Sequence, residues 1–120
     1  MPTRAIRGAT VVAENTETAI LSAARELLQE IARANALQAD QLISIIFTFT
    51  RDLDAVYPTR AARELGWTGV ALLDAQQPHV QGDLPRCLRV LVHCESARAV
   101  SEMKHIYLHA AKRLRPDLSE

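Results

Sequence analysis

Several things are scarce in this sequence, and each scarcity removes a class of protein. No apolar stretch approaches the roughly 18 to 20 residues that cross a bilayer, so no membrane partner is expected. The opening Met1-Pro2-Thr3-Arg4-Ala5-Ile6-Arg7-Gly8 lacks the apolar core and cleavage site of a signal peptide, and a cytoplasmic location is expected. The formal net charge is zero, whereas phosphate binding needs a basic surplus, so a general nucleic-acid partner is not expected either. Only two cysteines occur, Cys87 and Cys94. Within one strand their spacing is too wide for a disulfide, no CxxC accompanies them, and both read as small buried residues. Of the four histidines, His105 and His109 stand at helical i,i+4 spacing, but no neighbouring carboxylate or third ligand completes a metal site, and none is expected. There is no GxSxG, no paired Cys/His motif, no Gly-rich phosphate loop and no HExxH. The reaction, if there is one, needs neither nucleophile nor cofactor.

What is present is enough for one domain over residues 1–120, nearly half of it apolar. Twelve arginines stand against two lysines. A GC-rich genome produces such a bias; so does a site that must hold planar carboxylates through paired hydrogen bonds, which lysine cannot do. Composition leaves both open, and position must decide.

Ala5–Ala13 leans to β structure around Thr10-Val11-Val12, with Gly8 permitting a close approach. Asn15 or Thr16 offers an N-cap before Glu17, and Ile20, Leu21, Ala24, Leu27, Leu28 and Ile31 then recur at helical steps until about Asn35. Ile43–Thr50 alternates Ser44, Thr48 and Thr50 with Ile45, Phe47 and Phe49, as a strand buried on one face does. Pro58 starts a short helix over Thr59–Leu65, stopped by Gly66. Val70–Leu73 and Cys87–Cys94 read as strands, separated by a loop over residues 75–85. In the tail two readings stay open: Ala97–Leu114 is rich in helix formers, while Ile106-Tyr107-Leu108 suits a short extended piece, and Arg115-Pro116-Asp117 ends any helix. The order β-α-β-α-β-β predicts an α/β or α+β domain with one sheet covered on one face. With so few helices the other face calls for burial against further subunits, which points to a closed oligomer.

Four arginines sit awkwardly. Arg7 lies inside the first strand, Arg89 in the middle of Leu88-Arg89-Val90-Leu91, and Arg60 and Arg63 three apart on the short helix. A strand arginine on a solvent face needs no special account. A cation aimed from a rigid strand into a cleft has a much larger effect than one in water.

These residues fall in a pattern. Arg4-Ala5-Ile6-Arg7-Gly8-Ala9-Thr10 followed by Thr16-Glu17 resembles the RGIRGAT opening of the trimeric, AroH-type chorismate mutase family. Thr50-Arg51-Asp52-Leu53-Asp54-Ala55-Val56-Tyr57-Pro58 resembles its T-x-D-L-x-x-x-[FY]-P segment, and Gly82-Asp83-Leu84-Pro85-Arg86-Cys87-Leu88-Arg89-Val90 its G-x-L-P-R-x-[IL]-R-V strand entry. His105-Ile106-Tyr107-Leu108 and Leu114-Arg115-Pro116-Asp117-Leu118 are similar to its HVYL…LRPDL ending. The resemblance covers nearly the whole chain. It implies a mixed sheet with helices outside, a barrel-like homotrimer with active sites between subunits, and rearrangement of chorismate to prephenate without cofactor or covalent intermediate. It further implies a dicarboxylate-binding set of Arg7, Tyr57, Arg60, Arg63, Leu73, Asp74, Gln77, Arg89 and Tyr107. Arg89, Arg7 and Gln77 form its catalytic set: Arg89 faces the ether oxygen and one carboxylate, Arg7 the other. Tyr107 hydrogen-bonds a carboxylate, and Tyr57, Arg60 and Arg63 stand at the mouth, Arg63 reaching in from the neighbouring subunit.

One position departs from the pattern. The strand before the long loop in this family ends in C-x-x-E, whose glutamate meets the substrate hydroxyl. Counting from Trp67 and back from Gly82 places Gln77 at the glutamate and Asp74 at the cysteine. Gln77 can accept a hydrogen bond but brings no charge. Strand alternation sets Asp74 on the opposite face from Gln77 unless the strand ends between them. Three functions accommodate this: a mutase with a weakened site, a relative acting on another cyclohexadiene or aryl acid in secondary metabolism, and a non-catalytic ligand-binding trimer. The mutase is the leading expectation.

Overall fold

Backbone pairing in the computed structural model, which describes residues 1–117, gathers five strands into a single mixed sheet. They are β1 (Thr3–Val11), β2 (Leu42–Phe49), β3 (Ala71–Gln76), β4 (Cys87–Glu95) and β5 (Ile106–Tyr107), in the order β3-β2-β4-β1-β5. The centre is antiparallel, β4 lying between β1 and β2; the edges β3 and β5 run parallel to β2 and β1. Helix α1 (Glu17–Ala34) covers one face, and the short α2 (Arg60–Glu64) packs beside it.

Helix α1 forms where the sequence predicts it. The Thr16 side chain accepts from the Ala19 amide, which satisfies one of the free donors of the first turn. Its stripe of Ile20, Leu21, Ala24, Leu27, Leu28 and Ile31 is buried against Ile6 of β1, Ile45 and Phe47 of β2, and Leu88, Val90 and Val92 of β4. Each of the large side chains contributes about 1.5 to 3 kcal/mol by leaving water. The opposite sheet face carries Ala5, Arg7 and Ala9 from β1, Arg89, Leu91 and His93 from β4, and Ser44, Ile46 and Thr48 from β2. Cross-strand registry sets Arg7, Leu91, Ile46 and Leu73 in one row, and Ala9, Arg89, Thr48 and Ala75 in the next. Neither helix lies over it.

Two expectations need correcting, and of the two readings left open for the tail the extended one holds at Ile106–Tyr107. Strand β3 runs on to Gln76, because its parallel ladder with β2 satisfies the backbone through Phe49↔Gln76 although the side chains there turn polar. The loop therefore begins at Gln77 and not at residue 75. The tail is not an α-helix: 3-10 turns at Val100–Glu102 and His109–Arg113 flank the two-residue β5. His105 and His109 consequently do not share a helical face. His105 accepts from the Arg7 amide, while His109 pairs with Glu26 of α1. Leu118 of the ending motif lies outside the described residues.

The tail is docked by two features. Asn35, buried at the C-terminus of α1, donates from Nδ2 to the carbonyls of Ile31 and Lys104 (both 2.9 Å) and accepts the Lys104 amide at Oδ1 (2.7 Å). Gly8 lets β5 and α1 approach the same point of β1: a Cβ there would sit 2.9 Å from the Ile106 carbonyl oxygen and 3.0 Å from Ile31 Cδ1. The backbone carbonyl cannot swing aside, so Gly8→Ala should force β5 outward. We expect it to lower unfolding free energy by about 1 to 3 kcal/mol, measured by denaturant titration.

Candidate active site

Arg7 and Arg89 leave adjacent antiparallel strands on the same face, two residues out of direct registry, since Arg7 pairs with Leu91 and Ala9 with Arg89. Positions so related lie roughly 7 to 8 Å apart. Their side chains line one small cleft of about 160 Å³ together with Gly8, Tyr107, Leu114 and Arg115. Among the described residues neither Arg7 nor Arg89 forms an ion pair. Two guanidinium groups held on rigid strands without a carboxylate between them make a site with an unmet demand for anions.

Tyr107 reaches this cleft through β5, whose pairing with β1 sets it beside Ala9. Its ring packs with Ala9 and Ala111, and the residue is buried. Burial pushes the phenol pKa up, against the pull of the Arg89 charge, so Tyr107 stays a hydrogen-bond donor through the neutral range. Burial likewise pushes the Cys87 and Cys94 thiols up, Cys87 in spite of nearby Arg89. Neither is an activated nucleophile.

Gln77 sits one residue beyond β3, where its amide donates to the Phe49 carbonyl (2.9 Å). It is only 8% exposed, and its Oε1 has no hydrogen-bond partner among the described residues. A buried acceptor left open costs stability, and such an atom is accounted for when a ligand donor meets it. Gln77 lines a cleft of about 320 Å³ with Thr50, Arg51, Asp52 and the loop from Pro78 to Pro85. Asp74 points the other way. Its Oδ1 accepts the Thr59 amide (3.1 Å) and its Oδ2 the Thr59 hydroxyl (2.5 Å), which fastens the start of α2 to β3.

Tyr57, Arg60 and Arg63 line a third cleft of about 620 Å³ with Phe49, Leu53 and Gln76. Tyr57 is 70% exposed. Arg60 is engaged by Glu17 (2.8 Å) and Glu64 (3.5 Å), whereas Arg63 has no ion pair among the described residues. Leu73, 60% exposed, stands on the open sheet face. Within one chain, then, Arg7, Arg89 and Tyr107 come together, while Gln77 and the Tyr57 group occupy separate clefts.

Two contributors escaped the sequence reading. Arg115 lines the Arg7–Arg89 cleft and pairs with Asp117 (2.7 Å); its motif read as a helix stop and as part of the family's ending, without a role at the site. Asp52 organises the entry to β4. It accepts the Arg86 amide at both oxygens (3.2 and 3.0 Å) and the Thr50 hydroxyl, and Thr50 in turn accepts the Cys87 amide (3.0 Å). Arg86 has φ +48°, a conformation a non-glycine residue rarely holds unaided, and its Nε donates to the Val12 carbonyl (3.0 Å). This knot ties the ends of β1, β2 and β4 together, with Cys87 two residues from Arg89.

Comparison with known proteins agrees in extent and in kind. The family model described as chorismate mutase type I matches residues 3–118. The chain is 45% identical over 116 residues to the chorismate mutase AroH of Thermus thermophilus, covering 96% of this chain and 95% of that one. It is 38% identical over 120 residues to the chorismate mutase AroH of Bacillus subtilis strain 168, covering 99% and 94%. A solved chorismate mutase from Clostridium thermocellum superposes with a TM-score of 0.89 at 46% identity, covering 91% of this chain and 97% of its own.

The Asp52 knot has a pH signature. Burial is the largest influence and raises the carboxyl, but hydrogen bonds from Thr50 and the Arg86 amide, with the Arg86 charge, outweigh it and hold Asp52 below its ordinary 3.8. A carboxyl depressed on folding adds stability above its unfolded pKa and loses it as pH falls through the folded value. Asp52→Asn should therefore melt lower than the parent at pH 7, and the two melting curves should converge as pH drops below 4, followed by circular dichroism.

Proposed function

The chain belongs to the type I chorismate mutase family, and on that premise we propose that Arg7, Arg89 and Tyr107 form the heart of its active site. It is a chorismate mutase, an isomerase of aromatic amino acid biosynthesis, that turns chorismate into prephenate. The observation that carries the assignment of residues is the pair of guanidinium groups without ion-pair partners among the described residues, sharing one cleft with a buried tyrosine.

Chorismate has two carboxylates and an ether oxygen. In the rearrangement the C–O bond breaks ahead of C–C bond formation, so negative charge grows on that oxygen. Arg89, on the central strand, stabilises the transition state more than the ground state when its guanidinium meets the developing charge. Arg7 holds a carboxylate in a paired hydrogen bond and Tyr107 donates a further one; together they keep the flexible enolpyruvyl arm over the ring. Gln77 offers its open Oε1 to the substrate hydroxyl, with no charge to oppose the deficit on the ring. Asp74 does not bring that charge to the Gln77 cleft, since its carboxylate is held at Thr59 and does not line it.

The same reading accounts for the separate clefts. In a homotrimer with helices outside and the open sheet faces inward, Tyr57, Arg60, Arg63 and Leu73 of one subunit complete the Arg7–Arg89 cleft of the next. The exposure of Leu73 on a sheet face that neither helix covers supports this arrangement. No helix among the described residues is long and apolar enough to cross a membrane, and we place the enzyme in the cytoplasm, with chorismate as its partner and no cofactor.

Turnover of chorismate, followed by its absorbance, tests the assignment. The parent protein should consume chorismate well above the uncatalysed rate; unchanged absorbance would sink the reading. Arg89→Ala should lower kcat by about 10² to 10³ without unfolding the protein. Gln77→Glu should raise the rate at least about tenfold, because a hydrogen bond to a charged group exceeds a neutral one by roughly 1 to 1.5 kcal/mol. No gain, or a loss, would show a site tuned around the neutral amide, as a related acid substrate would require.

A further inference from the structure

The Arg7 amide donates to the imidazole of His105 at Nδ1, 2.9 Å away. This bond stands immediately before the two ladder pairs that join β1 to β5, Gly8↔Ile106 and Ala9↔Tyr107, and prolongs them by one side chain. His105 is itself held, because Asn35 clasps the backbone of Lys104 from both sides at 2.9 and 2.7 Å. An imidazole that accepts at Nδ1 carries its proton at Nε2 and is neutral. Once protonated it has a donor at both nitrogens, and the Arg7 amide faces an N–H in place of a lone pair.

We infer that His105 is a positioning residue for Arg7, fixing the root of the substrate-binding guanidinium only while its imidazole is neutral. The inference rests on the reading that Arg7 grips a substrate carboxylate. The imidazole lines two surface clefts. One brings Arg98, Glu102, Lys104 and Asp117 around it; the other brings Glu30 and Arg33 from α1, Lys112 from the tail, and Tyr107. Charges of both signs surround it, and among the described residues no carboxylate hydrogen-bonds to the ring. The Arg7 amide is its only hydrogen-bond partner there. The protonation state of His105 thus reaches the site through the backbone of residue 7, not through a charge placed beside the substrate. Binding of a dicarboxylate is expected to weaken toward acid pH, seen mainly as a rise in KM.

The test compares kcat and KM for chorismate between about pH 5 and 8, the span in which imidazoles generally change charge, with melting temperature measured alongside. The parent should lose kcat/KM toward pH 5. His105→Asn, whose Oδ1 can stand in for Nδ1 without titrating, should keep kcat/KM near the parent's at pH 8 and lose most of the acid decline. His105→Ala should fall about tenfold in kcat/KM at pH 8, the factor corresponding to one hydrogen bond. A parent-like acid decline in His105→Asn overturns the inference, as does an undiminished His105→Ala. Should the alanine variant fail to fold, the asparagine profile alone decides. Arg7→Ala separates the two levels of argument. If it is crippled while His105→Asn follows the parent profile, only the role of His105 is lost; if it is fully active, the assignment of Arg7 and this inference fall together.

Discussion

Everything distinctive in this molecule depends on the antiparallel ladder between β1 and β4. Nine consecutive pairs, from Thr3↔Glu95 to Val11↔Cys87, leave no freedom of register. Because side chains alternate, that register decides at once which residues meet α1 and which face away. Ile6, Leu88, Val90 and Val92 go into the core; Arg7 and Arg89 go to the open face as diagonal neighbours. A slip of β1 by one residue would turn Arg7 toward Leu27 and Ile31 and separate it from Arg89. The hydrophobic effect on one side of the sheet therefore fixes the spacing of two cations on the other, and the site inherits its rigidity from the core.

Much of this was legible in the sequence. The stripe from Ile20 to Ile31 could only be an amphipathic helix, and Asn15 or Thr16 marked its start, Thr16 being the one the fold uses. The alternation from Ser44 to Thr50 announced a half-buried strand. Arg7 and Arg89 stood out because each is a charged residue among β-forming neighbours. What escaped depended on contacts distant in sequence. The last residues of β3 look like loop because Asp74 and Gln76 are polar; a parallel partner ladder, invisible in one segment, makes them strand. Asp52 looks like a turn residue until β4 arrives to place Arg86 on its carboxylate. Tail residues 97 to 114 have helical composition, but Asn35 and the edge of β1 supply better partners than a helix of their own would.

The position of Gln77 illustrates the same division. Its identity and its register were plain in the sequence, and so was its lack of charge. That it lies buried with an unmatched acceptor oxygen follows only from the end of β3 and the loop folded over it. Asp74 shows the converse. By sequence it was a nearby negative charge; in the fold it is the clamp on the start of α2, and its carboxylate is aimed at Thr59 and not into the Gln77 cleft.

The order of strands also bears on how the chain comes into being. β1 leaves the ribosome first, yet its neighbours in the sheet are β4 and β5, both made much later. Until they appear, the edge of β1 has no sheet partner and its apolar side has only α1 to rest on. Folding dominated by such distant pairings is slow, and the cleft needs Tyr107 from β5, nearly a hundred residues after the strand it pairs with. Without β5 the chain would hold most of the core and still offer no complete place for a substrate, so the site depends on a two-residue strand that adds almost nothing to the core itself.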